Sequence, residues 1–169
     1  MKKNFFWFFL TWNLSALWVY LSYVAGMVAV TSKHSSELTI TEYIFCFFGF
    51  LVWLAGFIIE VVADNQKKKF KEDLNNKDKF ISHGLWAWSR HPNYFGEILL
   101  WIGITIIAIP IFKNWDYLAL ISPIFIYYLL VNVSGIPMLE KAADQKWGNN
   151  EDYISYKDKT NILFLKKPD

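Results

Sequence analysis

Between Arg90 and Glu97 the chain sets Arg90, His91, Asn93, Tyr94 and Glu97 within eight positions, then runs into Ile98–Ile109, a stretch apolar enough to enter lipid. A guanidinium presents a planar fork of donors that fits phosphate or carboxylate oxygens. Pro92 suits the first position of a helix, where a missing N–H costs nothing, so the spacing predicts a helix that begins there with Arg90 and His91 just outside. A helix start carries unpaired N–H groups and partial positive charge, which with Arg90 makes a place to hold an anion. Asn93 and Glu97, four apart, share one face, and Glu97 falls about one turn inside the hydrocarbon boundary, where a carboxyl needs a partner or a cavity. His91 is open to two readings, proton donor or capping side chain. Arg90 and Tyr94 also suit plain interfacial anchors, which leaves His91, Asn93 and Glu97 unexplained.

Two further constellations fall at the same depth. Glu60-x-x-x-Asp64-x-x-x-Lys68 forms a row on one helical face. Asp64 and Lys68 alone could be an exposed pair of little consequence, but Glu60 is embedded among Phe57, Ile58, Ile59, Val61 and Val62. In the tail, Glu140-x-x-x-Asp144 follows Gly135 and Pro137, which loosen the end of the preceding helix. Tyr153-x-x-Tyr156 comes next. The later tail reads equally as an amphipathic helix with Trp147 and tyrosines at headgroup level.

The elements that position these residues are apolar helices. Four stretches, about 5–30, 43–62, 94–112 and 117–137, are long enough to span, about 20 residues being required. The expected fold is an all-α polytopic membrane protein, one domain over 1–169. A chain that is 54% apolar and carries nine tryptophans fits a surface that also faces lipid. Its one cysteine, Cys46, excludes an internal disulfide. The run from Phe5 to Val30 is too long for the core of a secretory signal and reads as a retained helix.

Of 17 lysines and arginines, only Lys33 and Lys113 fall on the side opposite Lys2, Lys3, the 63–92 connector and the 138–169 tail. The positive-inside rule therefore places both termini in the cytoplasm. Glu60, Asp64, Glu97, Glu140 and Asp144 all fall at those cytoplasmic ends, which suggests one shared site. The patch Lys67–Lys71 is a topology signal that also attracts anionic lipid, and no nucleic-acid recognition motif accompanies it.

These motifs resemble a known family. Glu60-Val-Val-Ala-Asp64-Asn-Gln66-Lys67-x-x-Phe70, then Gly84-Leu-Trp-x-x-Ser-Arg-His-Pro-Asn-Tyr-Phe-Gly-Glu97, then Ser134-Gly-Ile-Pro-Met-Leu-Glu140 with Tyr153-x-x-Tyr156-x-x-x-Thr160 are similar to the C-terminal domain of the steroid 5α-reductase superfamily, in its bacterial-type uncharacterised branch. The similarity covers roughly 43–165. It implies NADPH held in a cradle open to the cytoplasm and reduction of a carbon–carbon double bond of a steroid or other lipid. The cofactor contacts the resemblance implies are Asp64, Arg90, His91, Asn93 and Glu97; Glu60, Lys68 and Glu140 of the constellations above complete the expected cofactor-binding set, and Tyr94 or His91 is the candidate proton donor. Full-length relatives carry further helices upstream, where this chain offers one. The Arg-His-Pro-x-Tyr motif with a tail acid also resembles the isoprenylcysteine and phospholipid N-methyltransferases, which implies S-adenosylmethionine instead. A third reading is a non-enzymatic member that keeps the folded cradle.

Overall fold

A computed structural model describes residues 5–32 and 39–167. Lys2, Lys3 and Lys33, which entered the charge argument, lie outside the described residues. Six α-helices follow in order: α1 Phe5–Thr31, α2 Ile40–Glu72, α3 Pro92–Ala108, α4 Ile121–Tyr128, α5 Ile136–Trp147 and α6 Glu151–Lys159. No strand occurs among the described residues. Four helical stretches are long and apolar enough to cross a membrane: Phe8–Thr31, Ile40–Glu72, Pro92–Ile111 and Asn114–Trp147.

The tightest contact is between α2 and α3, which run antiparallel. Gly49 of α2 faces Gly103 of α3, and one heptad along Gly56 faces Gly96. A Cβ built on Gly56 would lie 2.6 Å from the Gly96 carbonyl oxygen, and one on Gly96 would lie 2.7 Å from that of Gly56. In lipid, apolar side chains gain little by leaving their solvent, so helices associate by backbone approach and dispersion, which small residues permit. The shared seven-residue spacing keeps both glycine pairs on the seam.

α1 packs its C-terminal half on the far ends of α3 and α4. Ala25 is enclosed by Ala108, Phe112 and Ala119, the Ser122 hydroxyl donates to the Ser22 carbonyl, and Tyr23 meets Trp101 edge-on at 4.9 Å. The start of α1 therefore lies at the same end of the bundle as Glu60, Arg90 and Glu140.

Two elements differ from the hydropathy reading, while α3 starts at Pro92 as the proline predicts. α2 continues ten residues past Val62 to Glu72, because nothing between Ala63 and Glu72 breaks a helix and Asp73 then caps the next turn. The fourth span is not one helix: a 3₁₀ stretch Asn114–Leu120 leads into α4, a π-helical turn Leu129–Val133 follows, and the backbone breaks at Ser134–Gly135 before α5.

Candidate functional site

The connector between α2 and α3 folds back onto α2. Gly84 has a positive φ of 63° and opens a short 3₁₀ turn, Gly84–Ala87. Only glycine enters that backbone region freely, and a Cβ there would also meet the Gln66 amide at 2.6 Å. Two latches fix the turn: Leu85 N–H donates to Gln66 Oε1 at 2.9 Å, and the indole N–H of buried Trp86 donates to the Ala63 carbonyl at 3.0 Å. The chain then passes through Ser89 to Arg90 and His91, immediately before α3.

Arg90 and His91 both reach across to α5. Arg90 Nη1 donates to Glu140 Oε2 at 2.7 Å, and His91 Nε2 lies 2.9 Å from Glu140 Oε1. His91 is the residue before the first turn of α3, yet its ring does not cap that helix. Lys157 of α6 stands 3.6 Å from the same carboxylate and 2.6 Å from Asp144. Tyr153 donates to Asp144 at 3.1 Å. Tyr156 donates to the Trp86 carbonyl at 2.7 Å, which ties α6 to the connector turn. Burial, then the bond to Asp144, pushes the Tyr153 phenol up to about 12, and burial pushes Tyr156 higher still. Both phenols stay protonated near neutral pH and serve as donors. Arg90 Nε is buried with no hydrogen-bond partner among the described residues.

A cavity of about 440 Å³ opens beside this cluster, within the usual range for ligand pockets. Its inner end is Arg90, His91, Glu140, Tyr153 and Tyr156. α2 contributes Lys67, Phe70 and Lys71, the connector contributes the run from Asn76 to Ile81, and α5 contributes Leu139, Lys146 and Trp147. Lys67 Nζ sits 4.7 Å over the Trp86 ring and Lys146 Nζ 4.9 Å over that of Trp147. Asp78, itself at φ 63°, pairs with Lys146 at 3.0 Å, and its carbonyl accepts from the Trp147 indole at 2.6 Å. Phe80 packs against Tyr153 and Tyr156 at 5.3 and 5.4 Å between ring centroids. The lining holds six cationic side chains, Lys67, Lys71, Lys77, Lys79, Arg90 and Lys146, against two carboxylates, Asp78 and Glu140.

The residues singled out from sequence divide into two groups. Arg90, His91 and Glu140 meet at the cavity. Glu60, Asp64, Asn93, Tyr94 and Glu97 do not line it. They lie at the neighbouring end of the α2–α3 seam, where Glu60, Asp64 and Glu97 fall within electrostatic reach of one another. Glu60, Tyr94 and Glu97 are half-buried and Asp64 is exposed. Tyr94 joins the two groups, because its ring stacks on that of His91 at 5.7 Å and 10°. Lys68 stands apart, exposed and 4.0 Å from Glu72. The cavity's lysines and its aromatic wall were not singled out as site residues. The spacing of Lys67 and Lys71, i and i+4 on one face of an unbroken helix, was the available signal.

Fold and site together define a polytopic helical membrane protein with a charged, aromatic-lined cavity at one end of its bundle. The chain belongs to the DUF1295 family, described as a protein of unknown function, whose match spans residues 1–160. Among curated proteins, a probable O-methyltransferase of Ustilaginoidea virens is 29% identical over 101 residues, 55% of this chain and 35% of that protein. An uncharacterized protein of Schizosaccharomyces pombe is 27% identical over 144 residues, 69% of this chain and 40% of that protein. The 3-oxo-5-alpha-steroid 4-dehydrogenase 1 of Macaca fascicularis is 34% identical over 55 residues, 32% of this chain and 21% of the enzyme. The chain thus matches well under half the length of each of these relatives. No solved structure matches it.

Proposed function

We propose that the cavity binds NADP(H) and that the protein is a membrane reductase acting on a carbon–carbon double bond of a steroid or other lipid, next to a carbonyl. The observation that carries this reading is the lining, six cations against two carboxylates interleaved with Trp86, Trp147 and Phe80. A phosphorylated dinucleotide brings three phosphates and two flat rings, and both parts have counterparts on this wall. S-adenosylmethionine brings one carboxylate, an ammonium and a sulfonium, so an excess of lysine opposes it. Arg90 Nε, buried and unpaired among the described residues, is a further donor at the inner end.

When bound, the nicotinamide supplies a hydride to the substrate. The chain's own residues do the rest. Lys71, Lys77, Lys79 and Lys146 hold phosphate oxygens at the open end. Trp86 and Phe80 offer ring faces. Glu140 would fix Arg90 and His91 at the inner end, and His91, or Tyr94 stacked on it on the seam side, would supply the proton. Glu60, Asp64, Asn93 and Glu97 flank that position. Both termini are cytoplasmic in this reading, supported by the lysine distribution.

The runner-up, an S-adenosylmethionine-dependent methyltransferase of the isoprenylcysteine or phospholipid type, is favoured by one observation, the similarity to a probable O-methyltransferase over 55% of the chain. Titration of the purified protein with each ligand, followed by tryptophan fluorescence and by melting temperature, separates them. NADPH should quench Trp86 and Trp147 and, at a hundredfold excess over its dissociation constant, stabilise the fold by about 2.7 kcal/mol, which raises the melting point. A response to S-adenosylmethionine alone would overturn the reductase reading, and a response to neither would leave a non-enzymatic family member.

A further inference from the structure

The family match ends at residue 160, yet the residues that follow supply partners for the segment that carries Arg90 and His91. Residues 88–91 lie between a 3₁₀ turn and α3: the Trp88 and Ser89 N–H groups donate back to the Leu85 carbonyl and the His91 carbonyl accepts from Phe95 N–H, while the N–H groups of Arg90 and His91 and the Trp88 carbonyl find partners elsewhere. The Arg90 N–H donates to the Asn161 carbonyl at 2.9 Å, and the Lys166 N–H donates to the Trp88 carbonyl at 3.1 Å. Between them the Ser89 hydroxyl donates to the Leu163 carbonyl at 2.8 Å. The same oxygen accepts from the His91 N–H at 3.1 Å. Ser89 is 0% exposed, so the two bonds of its hydroxyl are not exchanged with water at low cost.

The tail is itself anchored. Leu163 is buried in the core cluster with Ile98, Trp101, Leu130 and Ile136. Phe164 packs edge-on against Phe95 at 5.9 Å. The Asn161 side chain accepts from the Leu163 N–H at 3.3 Å, which shapes the turn leaving α6.

We propose that residues 161–166 are a positioning strap for the site, and that Ser89 is the positioning residue that couples the strap to His91. With the backbone of 88–91 held on one side by the tail, the Arg90 and His91 side chains are aimed to the other side, where both oxygens of Glu140 receive them. Loss of the strap leaves α3 intact and frees the two residues just before it. The effect on His91 stands on geometry alone. The effect on ligand affinity rests on the NADP(H) reading of the cavity.

The test uses the full chain in lipid nanodiscs with ¹³Cε1-labelled histidine. The chain has three histidines, and His91→Gln identifies the resonance of His91. Ser89→Ala removes both hydroxyl bonds, and Asn161→Ala removes only the acceptor that shapes the strap. Both should shift or broaden the His91 resonance while that of His83, which lies against Phe70 on the other side of the connector, stays in place and reports an intact fold. NADPH affinity should fall in step, by about threefold to tenfold, as loss of one or two hydrogen bonds implies. If Ser89→Ala does not fold, Asn161→Ala carries the test alone. An unchanged His91 resonance in the folded variants overturns the strap. A wild-type protein that binds no NADPH overturns the cofactor reading instead, and the resonance still decides the strap.

Discussion

Along the α2–α3 seam backbone meets backbone through paired glycines, whereas at the cavity α2, the connector, α5 and α6 meet through side chains that carry charge and rings. The seam is held by contacts whose strength depends on fractions of an ångström, and every one of them is needed at once. The cavity is held by separate hydrogen bonds and ion pairs, each worth about 1 kcal/mol and each removable alone. The difference shows where this fold can vary. A site can be retuned at the cavity without disturbing the frame, but the frame cannot be altered without losing the site.

The seam gives the largest expected effect. Gly96→Leu places its Cβ 2.7 Å from the Gly56 carbonyl oxygen and 3.0 Å from Glu60 Cβ. Backbone cannot swing aside as a side chain can, so the cost should be about 3 kcal/mol or loss of the fold, read by unfolding in mixed micelles. Gly26→Ala is the control. Its nearest neighbour would be Ile104 Cγ2 at an ordinary 3.7 Å, so the alanine should be neutral or stabilise α1 by up to about 1 kcal/mol. Equal tolerance of both would show that the seam does not depend on close backbone approach.

At the cavity, Glu140→Ala is the strongest single change. It removes a carboxylate that is 17% exposed and leaves Arg90 and His91, 12% and 7% exposed at their side chains, without it. Stranding buried partners costs more than the pair gained, here about 2 kcal/mol after allowance for partial exposure. Trp86→Phe keeps the ring and removes the bond to the Ala63 carbonyl, for about 1 kcal/mol. In both variants the seam should survive, so circular dichroism should still report a helical protein while NADPH affinity falls.

Depth in the membrane was legible in the sequence, and direction around the bundle was not. Pro92 marked the start of α3 because proline fits the first turn of a helix, where no N–H is needed, and the four apolar stretches marked the spans. That Arg90, His91 and Glu140 belong to one end followed from their distance along the chain. Glu60, Tyr94 and Glu97 share that end, yet they sit at the seam while Glu140 sits at the cavity. Which side each takes is set by the Gly56–Gly96 register and by the break at Ser134–Gly135, neither of which a hydropathy pattern reports. The cavity's outer wall was hidden for another reason. Lys67, Lys71 and Lys146 read as topology signals, and only the fold-back of the connector, fixed by Gly84, Gln66 and Trp86, closes the space that they border.

The smallest effect on stability is also the sharpest test of the cavity's electrostatics. Asp78 and Lys146 pair at 3.0 Å, with 73% and 49% of their side chains exposed, and such a pair contributes at most about 0.5 kcal/mol to stability. Asn tolerates the left-handed backbone at position 78 and leaves its carbonyl available to Trp147. Asp78→Asn should therefore leave the melting temperature almost unmoved, yet it removes one of two carboxylates facing six cations and frees Lys146 to meet a ligand. NADPH should bind about twofold to fivefold more tightly at low salt, with the gain fading as ionic strength rises. Weaker binding would mean that Asp78 acts by holding the connector's shape, and the cavity would then depend on geometry as strictly as the glycine seam does.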